Sequence, residues 1–274
     1  MFSENIVSSC EVCSKCWSNF RNLSKEELDL VNKNRYEAAF NQGEIIIKQG
    51  SPSSNAVFIL SGLTKVYMEG YAGRNLILDL AGQSTMLAGP GVHVNSRYCY
   101  SVAALTQVQA CFISFDIIRR LIAGNPGFAV GFIQELSENA FRMHQKVVNL
   151  TQKKMHGRLA ESLLYFADTL FHSDSFEMVL SRQELGEMTN MAKESVVRIM
   201  GELENEKIRA IAKKAGGQKN KLEFYGYRLM EYQRPILNGS GTYNTYYENM
   251  GETFSKGRFE LNETDKTFLV KWQN

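Results

Sequence analysis

Short apolar runs separated by glycines fill the first half of the chain. Residues 44–47 lie between Gly43 and Gly50, residues 56–60 precede Gly62, and residues 63–68 precede Gly70; 76–80, 101–105 and 108–115 continue the series. Strand-length runs with glycine at the corners predict a small antiparallel barrel or roll over about 35–115. The pattern changes at Asn125-Pro126, where proline suits the first turn of a helix. Beyond it, Ile133, Leu136, Ala140, Met143, Val147 and Leu150 recur at alternating spacings of three and four, the a/d seam of a coiled coil. So narrow a stripe between two folded units predicts pairing with a second copy of the chain as a symmetric homodimer; packing on its own domain is the plainer alternative. Another amphipathic helix is predicted over 157–171, carrying Leu159, Leu163, Leu164, Phe166 and Leu170, with the polar Ser173, Asp174 and Ser175 closing it.

Residues 182–207 read as two helices joined by a tight turn. The first covers about 182–188, with Leu185 inward and Gly186 small enough to let a second helix cross closely. Asn190 stands where the turn needs a left-handed residue, which asparagine tolerates better than other side chains. Over 193–205, Val196, Ile199, Met200 and Leu203 form a buried back and leave Lys193, Glu194, Val197 and Arg198 on a presented front. Glu194 and Arg198 are four apart, which suits a surface ion pair. The same two side chains suit a major-groove edge, with Arg198 donating twice to a guanine and Glu194 accepting from a cytosine amino group. Ser181, Arg182, Lys193 and Ser195 are placed for phosphate contacts, which position a helix without reading sequence.

A length of 274 residues allows one large domain or two modest ones. The 31 Lys and Arg nearly balance the 29 Asp and Glu, which excludes a uniformly polybasic or acidic protein but not a local cationic face. Such a face is visible at Lys207, Arg209, Lys213, Lys214, Lys219 and Lys221, in a stretch without Asp or Glu. No basic-then-apolar leader occurs in the first nine residues, and no membrane-length apolar run follows, so a cytoplasmic protein without a membrane partner is expected. No nucleophile elbow, phosphate loop or dinucleotide fingerprint is present. His93, His144, His156 and His172 are scattered, with His144 and His156 expected on solvated helix faces; no enzyme is expected. Cys10, Cys13 and Cys16 are spaced two residues apart, so their thiolates can converge on one soft metal with a fourth ligand from elsewhere. An unligated arm is the alternative, and Cys99 reads as a structural thiol.

The sequences SRQELGEM (181–188) and KESVVRIM (193–200) resemble the recognition unit of CRP/FNR-type bacterial transcription regulators. GEIIIKQG (43–50) and VFILSGLTKV (57–66) resemble the opening strands of that family's effector β-roll. The resemblance covers about 10–233 and implies an α+β fold: an antiparallel, cupin-like β-roll, a long dimerisation helix and a C-terminal winged helix-turn-helix. It divides the chain into a cysteine-containing arm (1–22), a sensor (23–125), the dimer helix (126–156), the DNA-binding unit (157–234) and an extension of unknown role (235–274), in which 257–270 suit one or two strands. It further implies base reading by Glu194 and Arg198, a wing over 221–232, and double-stranded DNA, a second subunit and RNA polymerase as partners. By alignment Cys111 falls where oxygen-sensing members carry their distant cluster cysteine, so Cys10, Cys13, Cys16 and Cys111 are candidate ligands of a 4Fe-4S cluster, with zinc or no metal as alternatives. The last two N-terminal cysteines are spaced more tightly than in those members. A cyclic nucleotide is not expected, because residues 82–94 contain no acidic residue and the position of the phosphate-binding arginine falls on Tyr98, beside Arg97. A metal- or ligand-binding sensor that acts through a protein partner without binding DNA is the remaining alternative.

Overall fold

Each predicted glycine-bounded run becomes a strand, and register then sorts them into two sheets. The computed structural model describes residues 10, 16–87, 95–173, 175–205, 213–214 and 220–223, with side chains omitted at 175, 204–205, 213–214 and 220–223. The expectations for Cys13, His93, Lys207, Arg209, Lys219, the wing beyond 223 and the 235–274 extension lie outside these residues. The chain divides into two units, 1–145 and 146–274.

In the first unit, β1 (Arg35–Phe40), β8 (Val108–Ser114), β3 (Asn55–Ser61) and β6 (Met86–Leu87) form one antiparallel sheet in that order. The other sheet runs β2 (Ile45–Ile47), β7 (Ser101–Ala104), β4 (Thr64–Glu69), β5 (Asn75–Ala81). Gly62 turns β3 into β4 with φ +88°, and a Cβ there would stand 2.2 Å from the Gln107 carbonyl oxygen. The unbroken apolar run of β3, buried from Ala56 to Leu60, reflects cover on both faces. One cover is aromatic: Trp17 and Phe20 lie 5.7 and 5.2 Å from Phe58, and Phe128 lies 5.7 Å from Trp17.

Two helices flank this sheet. A capping box at Ser24 and Glu27 starts α1 (Lys25–Lys33). Ser114, at the end of β8, accepts a hydrogen bond from the Asp116 amide and so starts α2 (Phe115–Gly124). The predicted strand therefore stops one residue early, and residues 115–124 form a helix that strand periodicity does not separate. Asn125 is extended, as a residue before proline must be, and its Oδ1 accepts from the Phe128 amide at 2.9 Å. The long helix α3 (Pro126–Gln152) begins there. It stops short of the predicted 156: Lys153 turns in to pair with Glu161, and Lys154 is extended at the head of α4 (Met155–Leu164).

In the second unit, α4 passes into a π-helical turn over Tyr165–Leu170, so the predicted 157–171 helix begins two residues sooner and is not α-helical throughout. Then come β9 (Ser175–Glu177), α5 (Arg182–Thr189), α6 (Lys193–Asn205), β10 (Lys213–Lys214) and β11 (Asn220–Glu223). The three strands pair antiparallel in the order β10-β11-β9. Leu159, Leu163, Phe166, Ile199 and Leu203 are fully buried where α4, α5 and α6 pack together.

Candidate nucleic-acid interface

The turn between α5 and α6 is set by two residues. Asn190 adopts φ 51° and ψ 54° and ends α5, with its amide donating to the Gly186 carbonyl. Gly186 is buried, and a Cβ there would meet the Met191 carbonyl oxygen at 2.6 Å, so the chain folds back closely only because nothing is there. Ser181 caps α5: its hydroxyl accepts from the Glu184 amide at 3.2 Å, and its own amide donates to Glu184 Oε2 at 2.8 Å. An accepting hydroxyl keeps its proton for another partner. Val196, Ile199 and Leu203 are buried behind α6, while Met200 is only half-buried. Lys193, Glu194, Val197 and Arg198 are exposed, as is Arg182, and Ser195 is half-buried. The predicted front and back of this helix are therefore observed.

The expected Glu194–Arg198 pair does not form. Arg198 Nη1 instead donates to Glu202 Oε1 at 2.5 Å, one turn further along. Glu202 Oε2 lies 2.6 Å from His156 Nε2, on α4, so His156 faces another helix rather than solvent alone. The two contacts, His156 first, hold the Glu202 carboxyl below its ordinary pKa. Arg158, also on α4, donates to the carbonyls of Leu150 at 3.4 Å and Asn190 at 3.3 Å. It thereby ties the end of α3 to the helix-turn-helix. The contacts of His156 with Glu202 and of Arg158 with Asn190 carry no sequence pattern, since each depends on how helices pack; the Arg198–Glu202 pair, four apart on one helix, does.

Three of the four candidate ligand cysteines gather near Arg35, whose side chain is 3% exposed and pairs with Glu37 at 2.5 Å. Arg35 Nη1 lies 3.7 Å from the Cys111 sulfur. Burial nevertheless pushes the Cys111 thiol up to about 11. Cys10 is also buried, yet its thiol is lowered to about 7, chiefly by a hydrogen bond with the Cys16 side chain and then by the Arg35 charge. Among the described residues no three His, Cys, Asp or Glu side chains stand close enough to share a metal ion. Cys99 is half-buried and free.

Residues 37–125 match the model of the cyclic nucleotide-binding domain, and residues 157–216 match that of the Crp-like helix-turn-helix domain. Over 167 residues the chain is 26% identical to the cAMP-activated global transcriptional regulator CRP of Salmonella typhimurium, spanning 60% of this chain and 80% of that one. The chain belongs to the CRP/FNR family. Solved structures agree in fold. FixK2 from Bradyrhizobium japonicum superposes with a TM-score of 0.65 at 15% identity, covering 74% of this chain and 98% of that one. A CooA variant from Carboxydothermus hydrogenoformans gives 0.62 at 15% identity, covering 80% and 96%.

This CRP/FNR chain thus combines the family's jelly-roll domain, long helix and DNA-binding helix-turn-helix. No helix among the described residues is long and apolar enough to cross a membrane. At the positions that led to no cyclic nucleotide being expected, two contacts are observed. The Tyr98 hydroxyl is buried in donation to the Asn55 carbonyl at 2.6 Å, and Arg97 Nη1 turns to the Gly50 carbonyl at 2.6 Å.

Proposed function

We propose that this protein is a sequence-specific transcription regulator that binds a palindromic operator as a homodimer, in the cytoplasm, and engages RNA polymerase there. On this reading 23–125 senses, 126–156 pairs the subunits and 157–234 binds DNA. The observation that carries it is the two-sidedness of α6, with its apolar back buried and Lys193, Glu194, Val197 and Arg198 exposed at its N-terminal end, the end that meets bases in a helix-turn-helix. Arg198 reads a guanine, Glu194 a cytosine amino group, and Val197 offers an apolar contact to a thymine methyl. Ser181, Arg182, Lys193 and Ser195 take phosphates. Pairing is supported by α3, where Ile133 and Val147 of the seam are 62% and 58% exposed and Phe141 beside them is 62% exposed. Leu136 is exposed at the margin, and Ala140, Met143 and Leu150 complete the stripe.

The signal enters through the roll and shifts the population of arrangements in which two recognition helices match two half-sites. Among inputs, the thiol group near Arg35 has the soft donors that a 4Fe-4S cluster or zinc takes, with Cys10, Cys13, Cys16 and Cys111 as its holders. A cluster would supply oxygen-sensitive redox chemistry; zinc would supply structure only. Anaerobic purification distinguishes them by a brown chromophore with stoichiometric iron and sulfide.

Selection of bound duplexes from a random pool, with and without oxygen, tests the whole reading. It should recover inverted half-sites about one helical turn apart, and Arg198→Ala should abolish that enrichment at fixed salt. Salt-resistant binding that survives Arg198→Ala, or no enriched sequence in either gas phase, would overturn it.

A further inference from the structure

We propose that Glu202 is a positioning residue for DNA recognition: one turn beyond Arg198 and held in turn by His156 of α4, it fixes the base-reading guanidinium on the presented face of α6. The inference rests on the reading of α6 as the base-reading helix. An arginine on an exposed helix face samples many rotamers, and binding must freeze one of them. An ordinary (i, i+4) pair does little to help, because both side chains move together and water competes for both. Here the carboxylate spends its two oxygens on two helices: Oε1 on Arg198 at 2.5 Å and Oε2 beside His156 Nε2 at 2.6 Å. His156 lies in the first turn of α4, adjoining the buried Gly157 and Leu159. Arg198 is therefore referred to the body of the domain and not only to its own helix.

The chemistry of the fork gives this a direction. A guanidinium has five N–H donors in one plane. Glu202 engages Nη1, so the edge formed by Nε and Nη2 remains to meet the O6 and N7 acceptors of a guanine. The carboxylate also offsets the arginine's charge, which weakens its indiscriminate attraction to phosphates. Glu202 thus favours the correct base over bulk DNA through both effects.

The test uses the full chain and three probes: a duplex carrying the site recovered by selection, the same duplex with the guanine read by Arg198 changed to adenine in each half-site, and a random-sequence duplex. Glu202→Ala should cut discrimination between the first two by about three- to tenfold and tighten binding to the random duplex. Glu202→Gln keeps an acceptor for Arg198 and should restore most of the discrimination, while His156→Ala should move the same way as Glu202→Ala by a smaller factor. Unchanged discrimination in Glu202→Ala overturns the proposal, as does equal weakening on all three duplexes with a lowered melting temperature, the mark of a structural role. Arg198→Ala is the reference. If it leaves discrimination intact, the interface reading itself falls and the proposal with it; if it abolishes discrimination while Glu202→Ala does not, the proposal alone falls.

Discussion

Gly186 and Asn190 act through backbone geometry. The Cβ of a Gly186→Ala variant would sit 2.6 Å from a carbonyl oxygen that belongs to the turn and cannot swing away. The variant should lose about 1–3 kcal/mol, read as a lower melting temperature of the second unit. Asn190→Gly should be nearly neutral because glycine reaches φ 51° freely, whereas Asn190→Val should cost at least about 1–2 kcal/mol. Both positions are legible in the sequence because a turn residue and a small residue at fixed offsets are local signals. Glu202 and His156 are not, since they are 46 residues apart and meet only when α4 and α6 pack. Their contact has a pH signature. The Glu202 carboxyl is lowered, first by His156 and then by Arg198. Stabilisation from a lowered carboxyl is complete above its unfolded value of about 4.3 and is lost as pH falls through the lowered folded value. The melting difference between wild type and Glu202→Gln should therefore be present at neutral pH and disappear only once pH has fallen below the lowered folded value. A gap that persists in acid would mean that charge is not its source.

Among elements, the legible ones have a repeat long enough to count. The β3 run, the long helix α3 and the two-sided α6 each span several periods; β3 and α6 stand within a residue or two of their expected places, and α3 begins at the expected Pro126. Strand β6 is only two residues long, too short for any periodicity. Helix α2 is hidden because the buried Phe115, Ile117, Ile118 and Leu121 follow directly on an apolar strand, and the Ser114 cap marks the change. The far end of α3 differs from expectation because Lys153 and Lys154 are ordinary helix formers; an ion pair to Glu161, invisible locally, ends the helix. The seam of α3 also makes a prediction at this scale. Ile133→Asp with Val147→Asp places four buried charges in a symmetric interface, because each residue occurs twice. At about 1.5 kcal/mol per lost apolar side chain the cost is roughly 6 kcal/mol before any charge penalty. Sedimentation at micromolar concentration should show a dimer for the wild type and a monomer for the variant, and a monomeric wild type would refute pairing through α3.

Across the whole molecule, a formal net charge of +2 conceals a segregated basic stretch in the second unit. The basic stretch between 207 and 221 includes Lys213 and Lys214 on β10 and Lys221 on β11, and the register sets Lys213 directly opposite Lys221. The helix-turn-helix belongs to the same unit, and a basic stretch that follows it in sequence suits the phosphates of a bound duplex. Replacing Lys213, Lys214 and Lys221 together by Gln should then lower DNA affinity. The slope of log K against log salt should also become shallower by about 0.9 for each phosphate no longer neutralised, roughly 2.7 per subunit if all three lysines touch DNA. The weakening should be equal for the selected site and for random duplex, since phosphates carry no sequence. Arg198→Ala should do the reverse, erasing preference with a small change in slope. An unchanged salt slope in the triple variant would remove this edge from the interface and leave α5 and α6 to account for all of the binding.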